Sequence, residues 1–459
     1  MANGKTEVIH EDISSNTLIN NPIKLNIDTV IYSNSDAESE ISFEIEEALK
    51  IDKTLVLKTN LWHPEYDTCS VINIAKGKKI SGSNSAKQNL WTFFEKLNGL
   101  NTDSQLHVFH FGDSQIEGDR ITGRIRSSWQ RTWGGSGPGL IPAIQPVPAL
   151  AVRQQHEGEI KRFTKFGTTD STIEHTCYGG MATFSRVRHH GKVIVKPHPM
   201  GFRKNKIWHQ AEVLIGAAPL GGELTVKGEF TDSMKIDIAP SSMGNHSSIL
   251  VELSGEKEEL VFSFEGYEIE ITGIRLGSES GLFIHNIPMR SSSGTVFKSL
   301  NEEHFKKYMQ TWDVGMVILQ FGGNTAPYIK DEAAAERYGK RFRHQLRYLK
   351  TILPESSFLV IGPSDMGITS DSTALTYPML GAIRAEMKKV TVLEDALYWD
   401  LFEAMGGAGT MKIWAESNPK LASSDLVHFT PRGAKIIGEL LDQSLRSEYR
   451  YWEQVIGEK

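Results

Sequence analysis

Three short stretches hold the residue types that acyl-transfer chemistry needs. The first is "HVFHFGDSQIEGD", residues 107–119, where an apolar run ends in Gly112-Asp113-Ser114. A serine hydroxyl is a weak nucleophile at neutral pH and needs a base, usually a histidine oriented by a carboxylate. Both stand in "SSDLVHFTPRGA", where Asp425 and His428 precede a helix start. In a turn, that spacing lets the carboxylate reach the imidazole. The third is "LQFGGNTAPY", in which Gly322-Gly323-Asn324 follows a buried run. An Asn side-chain amide in that place can donate to an oxyanion. Each stretch also has a plain structural reading. Asp113 or Ser114 can cap a helix, and Gly-Gly-Asn can close a turn. With 15 histidines in the chain, Asp-x-x-His arises cheaply by chance.

These residues are useful only if the intervening elements bring them together. "QLHVFHF" reads as a strand, Gly112 as a tight turn, and the following run as a helix with Ile116, Ile121, Ile125 and Trp129 on one stripe. That is the opening of a Rossmann-like α/β unit. It places Ser114 at the C-terminal edge of a sheet, where ligands bind in open α/β folds. A helix start there would add N–H groups and a partial positive charge. Just before it, "SAKQNLWTFFEKLNGL" repeats Leu90, Phe93, Phe94 and Leu97 at helical spacing and stops at Gly99. Residues 1–86 contain short alternating pieces such as "KLNIDTVIYS" and "KTLVLKTNL", predicting a β-rich region with long loops.

From about 145 to 285 the pattern changes. "GELTVKGEF", "SILVELS", "ELVFSFEG" and "EIEITGIRL" alternate with period two, predicting an antiparallel β domain inserted into the α/β domain. After about 286 the α/β pattern resumes. "VGMVILQFGGN" is a run of the kind buried in a parallel sheet. A helix over "DEAAAERYGKRFRHQLRYLKTIL", a strand at "SFLVIGPSD", a helix over about 376–389 and a strand at "VTVLED" follow. The last helix starts sharply, with Thr430 as N-cap and Pro431 in the first position. "GGSGPG" at 134–139 contains proline and no helix follows it, so it reads as a loop rather than a nucleotide site.

Composition narrows the function classes. The chain has 459 residues, 39% hydrophobic, with a net charge of -6. That balance argues against a nucleic-acid binder. No apolar run reaches the ~18 residues of a membrane span, and the polar N-terminus has no signal-peptide core. No His/Cys/Glu cluster has metal-ligand spacing, and neither a metal nor a cofactor is expected. Cys69 and Cys177 are the only cysteines, open to pairing in an oxidising compartment or to remaining free thiols. Trp133, Trp312, Trp399 and Trp414 are candidates for a sugar site or for the core. Asp119 and Arg124 fit a solvated helix face.

In order along the chain, Gly-Asp-Ser, Gly-x-Asn and Asp-x-x-His resemble the blocks of the SGNH (GDSL-type) hydrolase family. The resemblance implies an α/β fold with a flavodoxin-like parallel sheet flanked by helices. It implies Ser114 as nucleophile, His428 as base and Asp425 as the carboxylate that orients it. The implied oxyanion hole uses the Ser114 N–H, the Asn324 side chain and a second-block backbone N–H. In "FIHNIPMRSSSG" the family's usual glycine falls at Ser291, with Gly180 in "CYGGMA" as a rival.

The order of helix, first block, glycine loop and β insert is also similar to the peptidoglycan O-acetylesterases. Those enzymes carry a β-sandwich, carbohydrate-binding-module-like domain between the first and second blocks. They usually read Gly-Asp-Ser-His, whereas this chain has Gln115. The implied organisation is a discontinuous catalytic domain (87–145 and 286–459), an inserted β-sandwich (146–285) and an N-terminal region (1–86) of unknown role. The implied function is a serine esterase that removes O-acetyl groups from a carbohydrate polymer, periplasmic or secreted, with an acetylated glycan as partner. An O-acetyltransferase with the same triad and a non-catalytic polysaccharide-binding protein are the alternatives.

Overall fold

The computed structural model describes residues 79–370 and 373–457. The chain enters as β1 (Ile80–Ser81), α1 (Asn84–Asn98), β2 (Gln105–Gly112), α2 (Thr122–Trp133) and β3 (Gly139–Ile141). A run of strands follows: β4 (Val152–Thr164), β5 (Thr183–Pro197), β6 (Gln210–Ile215), β7 (Gly222–Gly228), β8 (Met234–Ile238), β9 (Ser247–Glu252), β10 (Leu260–Gly266) and β11 (Ile269–Gly277). Strands and helices then alternate through β12 (Gly281–Pro288), α3 (Glu302–Met309), β13 (Val314–Gln320), α4 (Glu332–Ile352) and β14 (Ser357–Ile361). A hairpin, β15 (Gly367–Ser370) and β16 (Thr373–Thr376), leads to α5 (Leu380–Leu393) and β17 (Leu397–Trp399). The chain closes with α6 (Leu401–Met405), α7 (Thr410–Glu416) and α8 (Pro431–Gly457).

The sheet that positions the site has the order β1-β17-β14-β13-β2-β12. Its five inner and far-edge strands pair in parallel, and β1 is antiparallel on β17. Every residue of β13 is buried, as expected for a strand covered on both faces. The pairing puts Pro288, Gly112, Gln320, Ile361 and Trp399 in one row across the sheet. The segments after that row all emerge at one edge. Numbered among themselves, the parallel strands run 2-1-3-4-5, and the order reverses between β2 and β13.

The second sheet is antiparallel with nine strands, β8-β7-β10-β5-β11-β6-β9, with β3 on β11 and β4 on β5. In β7, Leu224 and Val226 are buried while Lys227 is exposed, the alternation of a sheet with one wet face. Its own core gathers Val187, Val193, Trp208, Phe262 and Phe264. A larger core joins Phe109 and Phe111 of β2 to Phe163, Phe184 and Leu214 of the antiparallel sheet. The two sheets therefore share buried apolar surface.

Several expectations need correction. The long helix does not begin at Ser114. A 3-10 turn covers Ser114–Asp119, broken where Gly118 takes φ 74, and α2 starts only at Thr122. "VTVLED" is not a strand. Val390 and Thr391 are buried on α5, and the Thr391 hydroxyl donates to the Met387 carbonyl at 2.7 Å. Packing of that helix face overrides the β-branched propensity of the run, and the strand is the later β17. The parallel pattern resumes at Gly281 rather than about 286, because β12 pairs along its full length with β2. The antiparallel sheet already begins at β3, before 146. Residues 80–86 belong to the main sheet and to α1, which Ser83 caps. The rest of the expected N-terminal β-rich region, with Cys69, lies outside the described residues, and Cys177 is buried.

Candidate active site

Gly112 ends β2 in an extended conformation, so its value is close approach rather than an unusual φ. A Cβ there would stand 2.9 Å from Ile116 Cδ1 and 3.1 Å from the Gln320 carbonyl. Asp113 then caps the 3-10 turn, its Oδ1 accepting the Gln115 N–H at 2.9 Å. The capping reading thus holds for Asp113 and leaves Ser114 free for chemistry. Burial pushes the Asp113 carboxyl up to about 6, against smaller opposing effects from the Gln115 N–H and His428.

Ser114 Oγ lies 2.8 Å from His428 Nε2. On the other side of the ring, Asp425 Oδ2 is 2.7 Å from His428 Nδ1. A carboxylate only accepts, so the ring proton belongs on Nδ1, and Nε2 is left to accept the serine proton. The loop is wound tightly for this. Leu426 takes φ 58, and Asp425 Oδ1 accepts the backbone N–H groups of Val427 (2.9 Å) and His428 (3.0 Å). Burial alone would raise the Asp425 carboxyl. The His428 backbone and ring bonds and the Val427 N–H outweigh it and hold the group below its ordinary value. The loop closes with Ser423 N–H donating to the His428 carbonyl at 2.8 Å, immediately before α8.

The segment after β12 forms a turn, Ser292 N–H donating to the Met289 carbonyl at 3.0 Å. Ser291 stands in it at φ 64, in the left-handed region that favours glycine. A glycine would take this conformation without strain. Asn324, on the 3-10 turn after β13, donates one amide N–H to the Ser292 carbonyl at 3.1 Å. Its other amide hydrogen remains for a ligand. Ser114, Ser291, Asn324 and His428 all line one cleft of about 150 Å³. Gly180 does not line it; a Cβ there would stand 2.4 Å from the Tyr308 ring.

Gln115 is a residue whose part sequence reasoning missed. It is buried, and its Nε2 donates to the Val427 carbonyl at 2.5 Å and to Ser364 Oγ at 3.3 Å. The nucleophile turn is thereby tied to the histidine loop. Arg120 adds a second tie, Nη1 donating to the Phe429 carbonyl at 3.0 Å. The signal was present in the polar residues after Ser114, but their partners lie three hundred residues away along the chain. Asp119 and Arg124 do not form a solvated face. Asp119 is buried and pairs with the buried Arg126, because the broken turn folds it under the antiparallel sheet. Arg124 pairs with Glu439 at 3.4 Å. The four tryptophans line neither this cleft nor the cavity beside it; Trp312, Trp399 and Trp414 are buried, and Trp133 packs against Trp129 and Tyr449. Among the described residues, no group of His, Cys, Asp or Glu side chains suits a metal ion, and no helix is long and apolar enough to cross a membrane.

No family profile and no curated protein matches the sequence. Solved structures do match. A peptidoglycan O-acetylesterase superposes with a TM-score of 0.64 at 19% identity, over 81% of this chain and 99% of the other. A GDSL-like lipase from Parabacteroides merdae (15% identity, 36% and 73% covered) reaches only 0.28. A family two carbohydrate esterase from Cellvibrio japonicus (8% identity, 66% and 99% covered) reaches only 0.27. Those two scores are too low to weigh. The chain thus shares the fold of that peptidoglycan O-acetylesterase, a mixed α/β architecture with a largely parallel sheet and a separate antiparallel sheet.

Proposed function

We propose that this protein is a serine esterase that removes O-acetyl groups from a carbohydrate polymer. The observation that carries it is the continuous relay from Ser114 Oγ through His428 to Asp425, at 2.8 and 2.7 Å. Ser114 Oγ attacks the acetyl carbonyl carbon while His428 Nε2 takes its proton. The developing oxyanion is held by backbone N–H groups of Ser114 and Ser291 and by the Asn324 amide. The ester C–O bond breaks, and the sugar oxygen leaves with the proton from His428. Water, deprotonated by the same imidazole, then attacks the acetyl-serine carbon, the Ser114 Oγ–C bond breaks as His428 returns the proton to Oγ, and acetate departs.

The finer reading of the fold goes with this. The strand order 2-1-3-4-5 supports a flavodoxin-like hydrolase layer, with the site at the point where the order reverses. The antiparallel strands form an inserted β-sandwich that binds carbohydrate, and the two parts pack as domains of one unit. The working location is outside the cytoplasm, periplasmic or secreted, where such polymers are found.

The test is acetate release from a panel of O-acetylated glycans, with Ser114→Ala and Asn324→Ala alongside. Ser114→Ala is expected to abolish release. Asn324→Ala is expected to lower kcat by about 100- to 1000-fold, the usual loss for one oxyanion donor. Release by Ser114→Ala at the rate of the parent protein would overturn the assignment. Acetylated sugar product in place of free acetate would turn the reading to acetyl transfer.

A further inference from the structure

A second cavity of about 180 Å³ opens beside the catalytic cleft, and Arg290 lines both. Its walls come from the nucleophile turn, the end of β12 and the antiparallel sheet, including Phe166, Met181, Ile141 and Val152. Three guanidinium and two carboxylate groups reach it. Glu117 takes a two-point bond from Arg290 through Nε (2.8 Å) and Nη2. Asp119 takes one from the buried Arg126. Both carboxylates are therefore neutralised. Arg162 on β4 is the third guanidinium; Glu117 attracts it only at longer range, and it makes no direct ion pair among the described residues. It lies over the Phe166 ring at 5.7 Å, and its Nε is buried without an acceptor. Gln145, which also lines the cavity, has its Oε1 buried without a donor.

A buried donor left without a partner is costly, and a ligand oxygen would relieve it. The orphan pair asks for an anionic acceptor with a hydroxyl nearby. Three guanidinium groups against two carboxylates leave one positive charge in excess, which suits a monoanion. The apolar wall suits the C–H face of a pyranose or a short aliphatic arm. We propose that this cavity is a subsite for a carboxylate carried by the glycan, with Arg162 as its ion-pair partner and Gln145 accepting from a neighbouring hydroxyl. The subsite rests on the esterase reading for its place beside the scissile ester. Two sources share this chemistry: the carboxylate of a uronic acid and that of a lactyl ether on an amino sugar.

The test is calorimetric binding to the Ser114→Ala protein, so that no ester chemistry intervenes. The probes are a glucuronate–N-acetylglucosamine disaccharide, an N-acetylglucosamine–N-acetylmuramate disaccharide, and each after reduction of its carboxyl group. At least one ionised disaccharide is expected to bind about 10- to 100-fold tighter than its reduced form, the usual worth of a charged hydrogen bond. Which one does so identifies the source. Adding Arg162→Gln removes that preference, and Arg162→Lys, which keeps the charge without the planar fork, retains a part of it. Thermal melts of both variants check folding. Equal affinity for ionised and reduced forms, or a preference that survives Arg162→Gln in a folded protein, overturns the subsite. Charge preference without acetate release from any glycan keeps the subsite and removes the esterase reading. Acetate release without charge preference removes the subsite alone.

Discussion

Replacing Asp425 by asparagine separates what the side chain does for the loop from what it does for the base. Oδ1 holds two backbone N–H groups, and Oδ2 holds the imidazole. An amide oxygen in the place of Oδ1 keeps both backbone bonds, so the loop should hold its shape. The amide nitrogen then faces His428 Nδ1 with a donor. The ring must accept there, which moves its proton to Nε2 and points a donor at Ser114 Oγ. No base remains for the serine proton. The same tautomer error in an unrelated serine hydrolase costs about 10⁴ in kcat, equivalent to about 5 kcal/mol of barrier. The side chain is 49% exposed, so stability should change by less than about 1 kcal/mol. The assay is turnover of p-nitrophenyl acetate by parent and variant at matched pH, with a thermal melt of each. Asp425→Asn within tenfold of the parent would show that Asp425 does not set the tautomer. A large fall in melting temperature with the lost activity would show that it serves the loop instead.

Three more outcomes follow from the site. Asp113 keeps its proton up to about 6 in the folded chain, against 3.8 as an ordinary aspartate. Stability therefore falls as pH rises from 3.8 through about 6, and Asp113→Asn should be more stable at pH 7 by up to about 3 kcal/mol, an advantage that disappears below pH 4 in denaturant melts. Ser291→Gly relieves a left-handed serine and should retain activity while gaining up to about 1 kcal/mol of stability, less the entropy of a freer unfolded chain; loss of activity on this change would mean that the serine hydroxyl, not its N–H, does the work. Gln115→Ala leaves the Val427 carbonyl without its side-chain donor and should lower kcat about tenfold through a looser histidine loop, seen as a kcat effect with KM nearly constant.

The residues that converge at the candidate site were legible as candidates, because the chemistry they would perform restricts the residue types. Ser114, Asp425 and His428 were singled out as candidates before any coordinate, their roles coming from the resemblance, and the fold brings the three side chains within hydrogen-bond reach. The strands β2, β13 and β14 were legible from apolar runs of the right length, while their order in the sheet was not. What could not be read was where each element begins. "VTVLED" has strand propensity, and only the burial of Val390 and Thr391 against neighbouring structure makes it helix. Asp119 looked like a solvent residue because a continuing helix would have exposed it; the break at Gly118 turns it inward instead. Ser291 was placed by likeness to a glycine, and the reason for the glycine, a positive φ, appears only in the folded turn.

The parallel register explains how three of the four chain-distant segments converge with so little machinery. Gly112 is flanked by Pro288 and Gln320 in the ladder, so the turns after β2, β12 and β13 leave the sheet side by side. Backbone bonds extend that row beyond the strands: Asp113 N–H donates to the Gln320 carbonyl at 3.2 Å, and Met289 N–H to the Gly112 carbonyl at 2.7 Å. Asn324 then crosses to the Ser292 carbonyl, and Gln115 crosses to the Val427 carbonyl. The Ser114 turn, the Ser291 turn, Asn324 and the His428 loop are thus each bonded to a neighbour. Under the proposed mechanism, a site held in this way has its donors fixed where charge develops and needs little reorganisation. The same linkage makes the site sensitive at places that touch no substrate. A side chain forced in at Gly112 would press on both Ile116 and the Gln320 carbonyl. It would displace the nucleophile turn from the asparagine turn, and catalysis should fail before the sheet does.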